Sequence, residues 1–270
     1  MTGRRIPTVL TIAGSDSGGG AGIQGDLKTL QAMGVYGLSV LTSITAQNTR
    51  GVAGAYDLPT DCVALQLKTV AQDIPIDAVK TGMLSNESIV DAVASLVPSL
   101  GLRHLVADPV MRAKSGDALI SSRAGQVLLE RLVPLAEIVT PNIPEAEELS
   151  RKSIRNVADM KEAARVIAGA GTAVLVKGGH LEGESKAVDI LYDGRSFYEF
   201  GAERIDVPGG VHGTGCAYAS AIAAGLAKGF GLVDAVGQAK AYITGAIRAR
   251  LTVGRGHPVL DHAWEWSKRG

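Results

Sequence analysis

Short runs of β-branched and aliphatic residues alternate along the chain with segments whose apolar positions repeat every three to four residues. Thr8-Val9-Leu10-Thr11-Ile12-Ala13 reads as a first strand, followed by a glycine-rich loop and a helix from about Ile23 to Met33. Leu38 to Thr45 reads as a second strand. Thr60 to Asp73 predicts a helix, because Val63, Leu67 and Val70 share one face. Ile76 to Thr81 is short and apolar, with the character of a buried strand, and Glu87 to Leu96 is helical. Leu105-Val106-Ala107 and Ala136 to Thr140 are strand candidates that run into Asp108-Pro109 and Pro141-Asn142. Ala158 to Ala168 predicts a helix and Ala173 to Lys177 a strand. Ala187 to Tyr192 and Ser196 to Phe200 form a hairpin candidate across Asp193-Gly194-Arg195, and Ala217 to Ala227 reads as a helix.

This alternation implies a three-layer α/β fold, with a mostly parallel central sheet and helices on both faces. Such sheets bind ligands beyond the carboxyl ends of their strands. Asp16, Asn48, Met83, Asp108, Asn142, Lys177 and His180 all follow strand candidates, so position alone gathers them at one edge. No linker, repeat or low-complexity segment interrupts the pattern, and residues 1–270 are expected to form a single domain.

Composition narrows the class. A chain of 270 residues with 46% hydrophobic residues buries a full core without covalent staples. Lys+Arg and Asp+Glu both number 27, and this zero formal charge argues against nucleic-acid and anionic-membrane partners. Two cysteines, Cys62 and Cys216, do not make a disulfide framework, which points to the cytoplasm. Cys62 lies within the Thr60–Asp73 helix and reads as structural. No run approaches the ~18–20 apolar residues of a membrane helix.

The most chemically suggestive run is Val211-His212-Gly213-Thr214-Gly215-Cys216, which opens into the Ala217–Ala227 helix. A glycine turn at a helix start presents free backbone N–H groups at the positive end of the helix dipole, a ready anion site. Cys216 stands where a helix start makes a thiol more acidic, so it is a candidate nucleophile or base. Phosphoryl transfer is the chemistry that most needs such a loop. Gly14 to Gly22 is also glycine-rich but has neither dinucleotide-fold nor Walker A spacing. Asp26 follows it, near a helix start where a negative charge is favourable in any case. Gln47 and Asn48 end the second strand; a carboxamide there can pair with an amino-pyrimidine edge or serve a turn. Asn142 and Glu145, three apart, suit a helix cap or a hydrated Mg²⁺. Lys177 brings a cation to the sheet edge, which suits a phosphate, whereas His180 reads as a solvated loop residue.

Taken in order, these segments resemble one family. They are Ala13-Gly14-Ser15-Asp16-Ser17-Gly18-Gly19-Gly20-Ala21-Gly22-Ile23-Gln24, Asp26-Leu27-Lys28-Thr29, Ala46-Gln47-Asn48-Thr49, Gly82-Met83-Leu84, Asp108-Pro109-Val110-Met111 with Ala113-Lys114-Ser115-Gly116, Thr140-Pro141-Asn142 with Glu145-Ala146, Lys177-Gly178-Gly179-His180 and His212-Gly213-Thr214-Gly215-Cys216. Together they resemble the hydroxymethylpyrimidine/phosphomethylpyrimidine kinases of thiamine biosynthesis, within the ribokinase-like superfamily, over residues 8–250. The resemblance implies ATP and Mg²⁺ and two successive transfers. The first goes to the hydroxymethyl of 4-amino-5-hydroxymethyl-2-methylpyrimidine and the second to the resulting monophosphate. It implies that Asp26, the Thr45 backbone, Gln47 and Met83 hold the pyrimidine. Gly213, Gly215 and Cys216 would form the anion hole, with Cys216 beside the reacting oxygen. Asn142, Glu145, Asp108, Lys114, Lys177 and Thr214 would serve the nucleotide, with Glu145 and Asp108 toward the metal and Lys177 also catalytic. A homodimer is expected on the same resemblance and on the prevalence of two-fold assemblies.

Arg112 and Gly25 depart from the family pattern, and the imperfect Gly254–Val259 motif gives His257 no role. A pyridoxine/pyridoxal kinase of the same fold is the alternative; Gln47, Met83 and Ala113 favour the pyrimidine. A catalytically silent pyrimidine-binding protein is a further alternative, against which the intact Gly213–Cys216 loop, Lys177 and Glu145 argue. If Cys216 is a base, Cys216→Ala should slow the transfer to the neutral alcohol by ~10²-fold more than the transfer to an already anionic phosphate.

Overall fold

The structure, a computed structural model, describes residues 5–111, 122–169, 171–179, 181 and 186–266. One sheet of nine strands runs through it in the order β3-β2-β1-β4-β5-β6-β7-β8-β9. Its centre is parallel: β1 (Thr8–Asp16), β2 (Tyr36–Asn48), β4 (Ala78–Thr81), β5 (Leu105–Ala107), β6 (Ile138–Val139) and β7 (Ala173–Val176). Antiparallel strands close both edges, β3 (Gly51–Asp57) on one side, β8 (Lys186–Tyr192) and β9 (Phe197–Glu203) on the other.

Successive side chains of a strand point to opposite faces, and β1 shows how the two cores arise. Leu10 and Ile12 join the face covered by α2 (Thr60–Asp73), α3 (Glu87–Ser99), α5 (Ile143–Ser150) and α6 (Val157–Ala168). Val9 joins the other, covered by α1 (Gly22–Ala32), α7 (Thr214–Ala227) and α8 (Leu232–Arg248). α4 (Ser122–Val127) continues through a π turn and a 3₁₀ turn to Leu135 on the first face. Asparagine side chains start three helices: Asn86 accepts from the Ile89 amide, Asn156 from Asp159 and Asn142 from Glu145.

The expected alternation is present, and the differences have local causes. β3 has no apolar alternation to reveal it, because it is an edge strand whose residues stay largely in solvent. α8 carries its buried stripe on small residues, Ala235, Ala239 and Ala246, between Val236, Tyr242 and Ile243. α7 begins at Thr214, three residues earlier than its apolar run, and is buried nearly all round. Its small residues permit close contact: a Cβ on Gly225 would stand 2.9 Å from the Ala235 Cβ on α8. The segment after α8 folds back over the molecule. Val259 bridges to both Leu251 and His212, and the Trp264 indole lies where a Cβ on Gly245 would be 2.1 Å from the ring.

Candidate active site

Because six strands are parallel, their carboxyl ends converge on one rim, and a cavity of about 980 Å³ opens there. Ser15, Asp16, Thr45, Gln47, Lys80, Met83, Asp108, Asn142, Glu145, Lys177 and His212 through Cys216 line it.

One end is organised by Asp16. Its buried carboxylate accepts the amides of Gly18 at 2.8 Å, Gly20 at 3.1 Å and Ala21 at 2.8 Å, and His212 Nε2 donates to Oδ2 at 2.8 Å. Burial alone would raise its proton affinity, but the His212 bond and the loop amides outweigh burial and hold the carboxyl below its ordinary value. The glycine-rich loop is therefore a fixed shell around an ionised Asp16. Gln47 sits between Thr45 Oγ1 at 3.1 Å and His212 Nε2 at 3.2 Å. Thr45 Oγ1 donates to the Ser15 carbonyl at 2.7 Å, tying β2 to β1 beside the cavity. Met83 packs over Gly14, where a Cβ would meet its methyl at 2.4 Å, so an apolar surface faces the carboxamide end.

The other end is charged. The backbone bridge between Asn142 and Lys177 sets β6 and β7 side by side where they end. Lys177 Nζ donates to Asp108 Oδ1 at 2.9 Å, and Thr140 Oγ1 donates to the same oxygen at 3.1 Å. Burial disfavours the Lys177 charge, yet Asp108 and Glu145 together hold its proton more tightly than usual. Asn142 and Glu145 form a reciprocal capping box, the Asn142 amide donating to Glu145 Oε2 at 2.8 Å and the Glu145 amide to Asn142 Oδ1 at 2.9 Å. The cap reading is thus realised, while both side chains still face the cavity. Burial pushes the Glu145 carboxyl up to about 7, Asp108 adding to the rise and Lys177 opposing it. Asp108 and Glu145 are a pair; among the described residues no group of three or more His, Cys, Asp or Glu could hold a metal ion.

That Glu145 shift has a sign. A carboxyl raised from 4.5 to about 7 in the fold stabilises it at low pH and loses that contribution as pH rises through this window. Glu145→Gln should therefore gain on the parent between pH 5 and pH 8, by about 2–4 °C in melting temperature for each 1 kcal/mol involved. Calorimetry in chelator at both pH values measures it, and a pH-independent difference would return Glu145 to an ordinary carboxyl.

Between the two ends stands the start of α7. Gly213 caps it at φ 84°, and Thr214 Oγ1 donates to the Val211 carbonyl at 2.8 Å. The amides of the first turn have no carbonyl one turn back. A Cβ on Gly215 would lie 3.4 Å from Lys177 Nζ and 3.8 Å from Asp108 Oδ2, so cation, carboxylate and helix start converge.

Two sequence expectations are corrected. Asp26 does not line the cavity; it is fully buried behind it. Its oxygens accept from Thr11 at 2.6 Å, Lys80 at 2.8 Å and Ser220 at 2.8 Å. The wall residue there is Lys80; burial disfavours its charge, but Asp26, through charge and hydrogen bond, and Asp108 help to hold the proton on its fully buried ammonium. Lys80 was legible only as a lysine inside an apolar strand. Cys216, in turn, is not acidified by the helix start. Burial pushes its thiol up to about 11, with Lys80 opposing and Asp26 and Asp108 adding to the rise. Asn48 serves the turn, accepting the Arg50 amide at 2.8 Å. Lys114 and His180 lie outside the described residues.

Comparison with known proteins agrees with this geometry. A family model described as phosphomethylpyrimidine kinase matches residues 16–261. The chain is 53% identical over 265 residues to the thiamine biosynthesis bifunctional protein ThiED of Geobacter sulfurreducens, covering 96% of this chain and 54% of that protein, about half its length. It is 48% identical over 259 residues to a hydroxymethylpyrimidine/phosphomethylpyrimidine kinase of Streptomyces coelicolor, covering 96% and 95% of the two chains. Among solved structures, an ADP complex of Bacillus subtilis pyridoxal kinase superposes with a TM-score of 0.89 at 38% identity, over 97% of this chain and 100% of that one. The family model spans most of the chain and the Streptomyces relative matches it along nearly its whole length: the chain belongs to the phosphomethylpyrimidine kinase family.

Proposed function

We propose that this chain phosphorylates 4-amino-5-hydroxymethyl-2-methylpyrimidine from ATP and then phosphorylates the monophosphate to the diphosphate, as a step of thiamine diphosphate synthesis. The observation that carries this reading is the convergence of Lys177, Asp108 and the Gly213–Cys216 turn on one point of the cavity. Phosphoryl transfer needs in-line positioning and stabilisation of charge on the transferred group more than covalent help. The first-turn amides of α7 and the Lys177 ammonium supply that charge. Met83 and Gln47 face a flat ring with polar edges, and the hydroxymethyl points toward Cys216. The charged end receives the nucleotide, flanked by Asn142, Glu145 and Thr214.

Mg²⁺ fits the residues present. Two buried carboxylates, Asp108 and Glu145, face one polar hollow, and Glu145 is reluctant to carry its charge without a further cation. Mg²⁺ accepts one or two carboxylates with waters and phosphate oxygens. Bound there, it would neutralise charge on the β- and γ-phosphates.

A thiol at about 11 holds its proton at neutral pH, with thiolate below roughly one part in a thousand. Cys216 is therefore not a resident base. The acceptor alcohol keeps its proton until late, as suits a loose transition state, and passes it to an oxygen of the transferred phosphoryl group as the new O–P bond forms. Cys216→Ala should then slow both transfers alike and by less than about tenfold, well short of a typical general-base contribution of ~10². Single-turnover rates with each substrate measure this; a selective loss of ~10² in the alcohol step would restore the base role.

Relative kcat/KM values test the proposal against its alternatives. The pyrimidine is expected to exceed pyridoxal, and the reverse would make the chain a pyridoxal kinase. Pyrimidine binding without ATP turnover would make it a silent binding protein. The enzyme works in the cytoplasm as a homodimer, and a monomeric mass by light scattering at micromolar concentration would overturn the dimer. Among the described residues no helix is long and apolar enough to cross a membrane.

A further inference from the structure

Gln47 makes two side-chain contacts, and with the amide nitrogen toward His212 both are mismatched. Asp16 is ionised and only accepts, so the proton between Asp16 and His212, 2.8 Å apart, is carried by His212 Nε2. That nitrogen then donates, whether the ring is neutral or charged, and cannot accept from the Gln47 Nε2 amide 3.2 Å away. On the other side, Thr45 Oγ1 has one proton and gives it to the Ser15 carbonyl at 2.7 Å. Its contact of 3.1 Å with Gln47 Oε1 is thereby left as two acceptors facing each other. A half-turn of the carboxamide resolves both. Gln47 Oε1 then shares the His212 Nε2 proton with Asp16, and Gln47 Nε2 donates to Thr45 Oγ1.

We propose that His212, held by Asp16, fixes which way round the Gln47 carboxamide faces, and that this makes the site select a 4-aminopyrimidine over its 4-oxo counterpart. The inference rests on the reading that Gln47 meets the edge of the pyrimidine. His212 immediately precedes the turn toward which the reacting 5-hydroxymethyl points. The 4-substituent is the ring neighbour of that group, so it lies on the His212 side of Gln47. There the fixed amide offers a carbonyl, which accepts from a 4-amino group. On the Thr45 side its remaining N–H donates to the unprotonated ring nitrogen. A 4-oxo ring reverses both: its carbonyl meets the Gln47 carbonyl, and its ring N–H meets the Gln47 N–H. An amide free to turn would accept either ring. An amide locked at both ends accepts one, and leaving buried polar groups unpaired is what makes such selection strong. His212 is a positioning residue here, acting through Gln47. It is itself held by the Pro258 carbonyl, which accepts its amide at 2.8 Å, and by its ring's packing against Gly20, where a Cβ would be 2.6 Å from Cδ2.

The test compares kcat/KM for 4-amino-5-hydroxymethyl-2-methylpyrimidine and its 4-oxo analogue in the parent, His212→Phe, His212→Gln and Gln47→Ala. The parent should prefer the amino ring by about 100-fold or more. His212→Phe removes the Nε2 donor and should cut that preference at least tenfold, by losing amino-ring and gaining relative oxo-ring activity. His212→Gln returns an N–H donor near the position of Nε2 and should restore the preference. Distortion of the fold would lower both substrates together and leave the ratio intact, so the ratio reads positioning alone. If His212→Phe does not fold, the slimmer His212→Met takes its place. An unchanged ratio in the apolar variant while Gln47→Ala lowers it would overturn the His212 inference and leave the Gln47 reading standing. An unchanged ratio in Gln47→Ala would overturn that reading and the inference with it.

Discussion

Lys177→Met should lower kcat/KM by ~10³-fold, about 4 kcal/mol of transition-state stabilisation. The ammonium faces the cavity from the end of β7, 2.9 Å from Asp108 and beside the start of α7. It adds a full positive charge where the first-turn amides bring partial ones. In a buried site such charges act with little solvent screening, so removing one costs more than a surface lysine would. Arginine should not substitute, because its larger planar guanidinium would have to fit between Asp108, 2.9 Å from Nζ, and the Gly215 backbone, where even an added Cβ would stand 3.4 Å from Nζ. The same change breaks a buried ion pair and, among the described residues, leaves Thr140 as the side-chain donor to Asp108, which typically costs 3–5 kcal/mol of stability. Lys177→Met/Asp108→Asn separates the two effects: melting temperature should recover and the rate should not. A double variant that regained the rate would show that Lys177 only compensates Asp108.

Much of this arrangement was open to a reading of the chain, and the parts that were not have a common cause. Strand ends announce themselves by a polar residue after an apolar run, so the sequence alone sets Asp108, Asn142 and Lys177 on one rim. The Gly213–Cys216 turn could be read because a glycine turn and an apolar helix adjoin in sequence. What stayed hidden depends on residues far apart in the chain. Asp16 looks like one polar residue in a glycine loop until His212, 196 positions later, closes on it. The family resemblance made Asp26 a substrate contact, and nothing local shows that Thr11, Lys80 and Ser220 converge on it from three other elements. Cys216 misled in the opposite direction. The helix start that lowers a thiol is visible in sequence, but the burial that raises it is a property of the packed cavity.

Gly213→Ala should abolish measurable activity, a loss of at least ~10³-fold in kcat, and lower the melting temperature as well. At φ 84° the residue is in the left-handed region, and an added Cβ would stand 1.8 Å from the Gly20 carbonyl oxygen and 2.9 Å from its carbon. Backbone must therefore move on one side or the other. The Gly20 side cannot give way easily, because Asp16 holds its amide, and His212 and Val259 crowd its α-carbon. The start of α7 would have to withdraw instead, taking the Thr214, Gly215 and Cys216 amides with it. A displacement of about 1 Å at such a point can cost 10²-fold by itself, and each lost donor to the developing charge a similar factor. Gly215→Ala provides the contrast. Gly215 has no positive φ, and its Cβ would meet Lys177 Nζ at 3.4 Å, a contact that packing tolerates. That variant should keep the parent's melting temperature while its kcat falls and its KM for ATP rises, since the methyl projects into the space where the phosphates must sit. Equal losses of stability in the two variants would mean that the turn is braced only by its own glycines. A stable but inactive Gly215→Ala beside an unstable Gly213→Ala would show the division of labour directly: one glycine lets two loops meet, the other leaves room for the phosphoryl group.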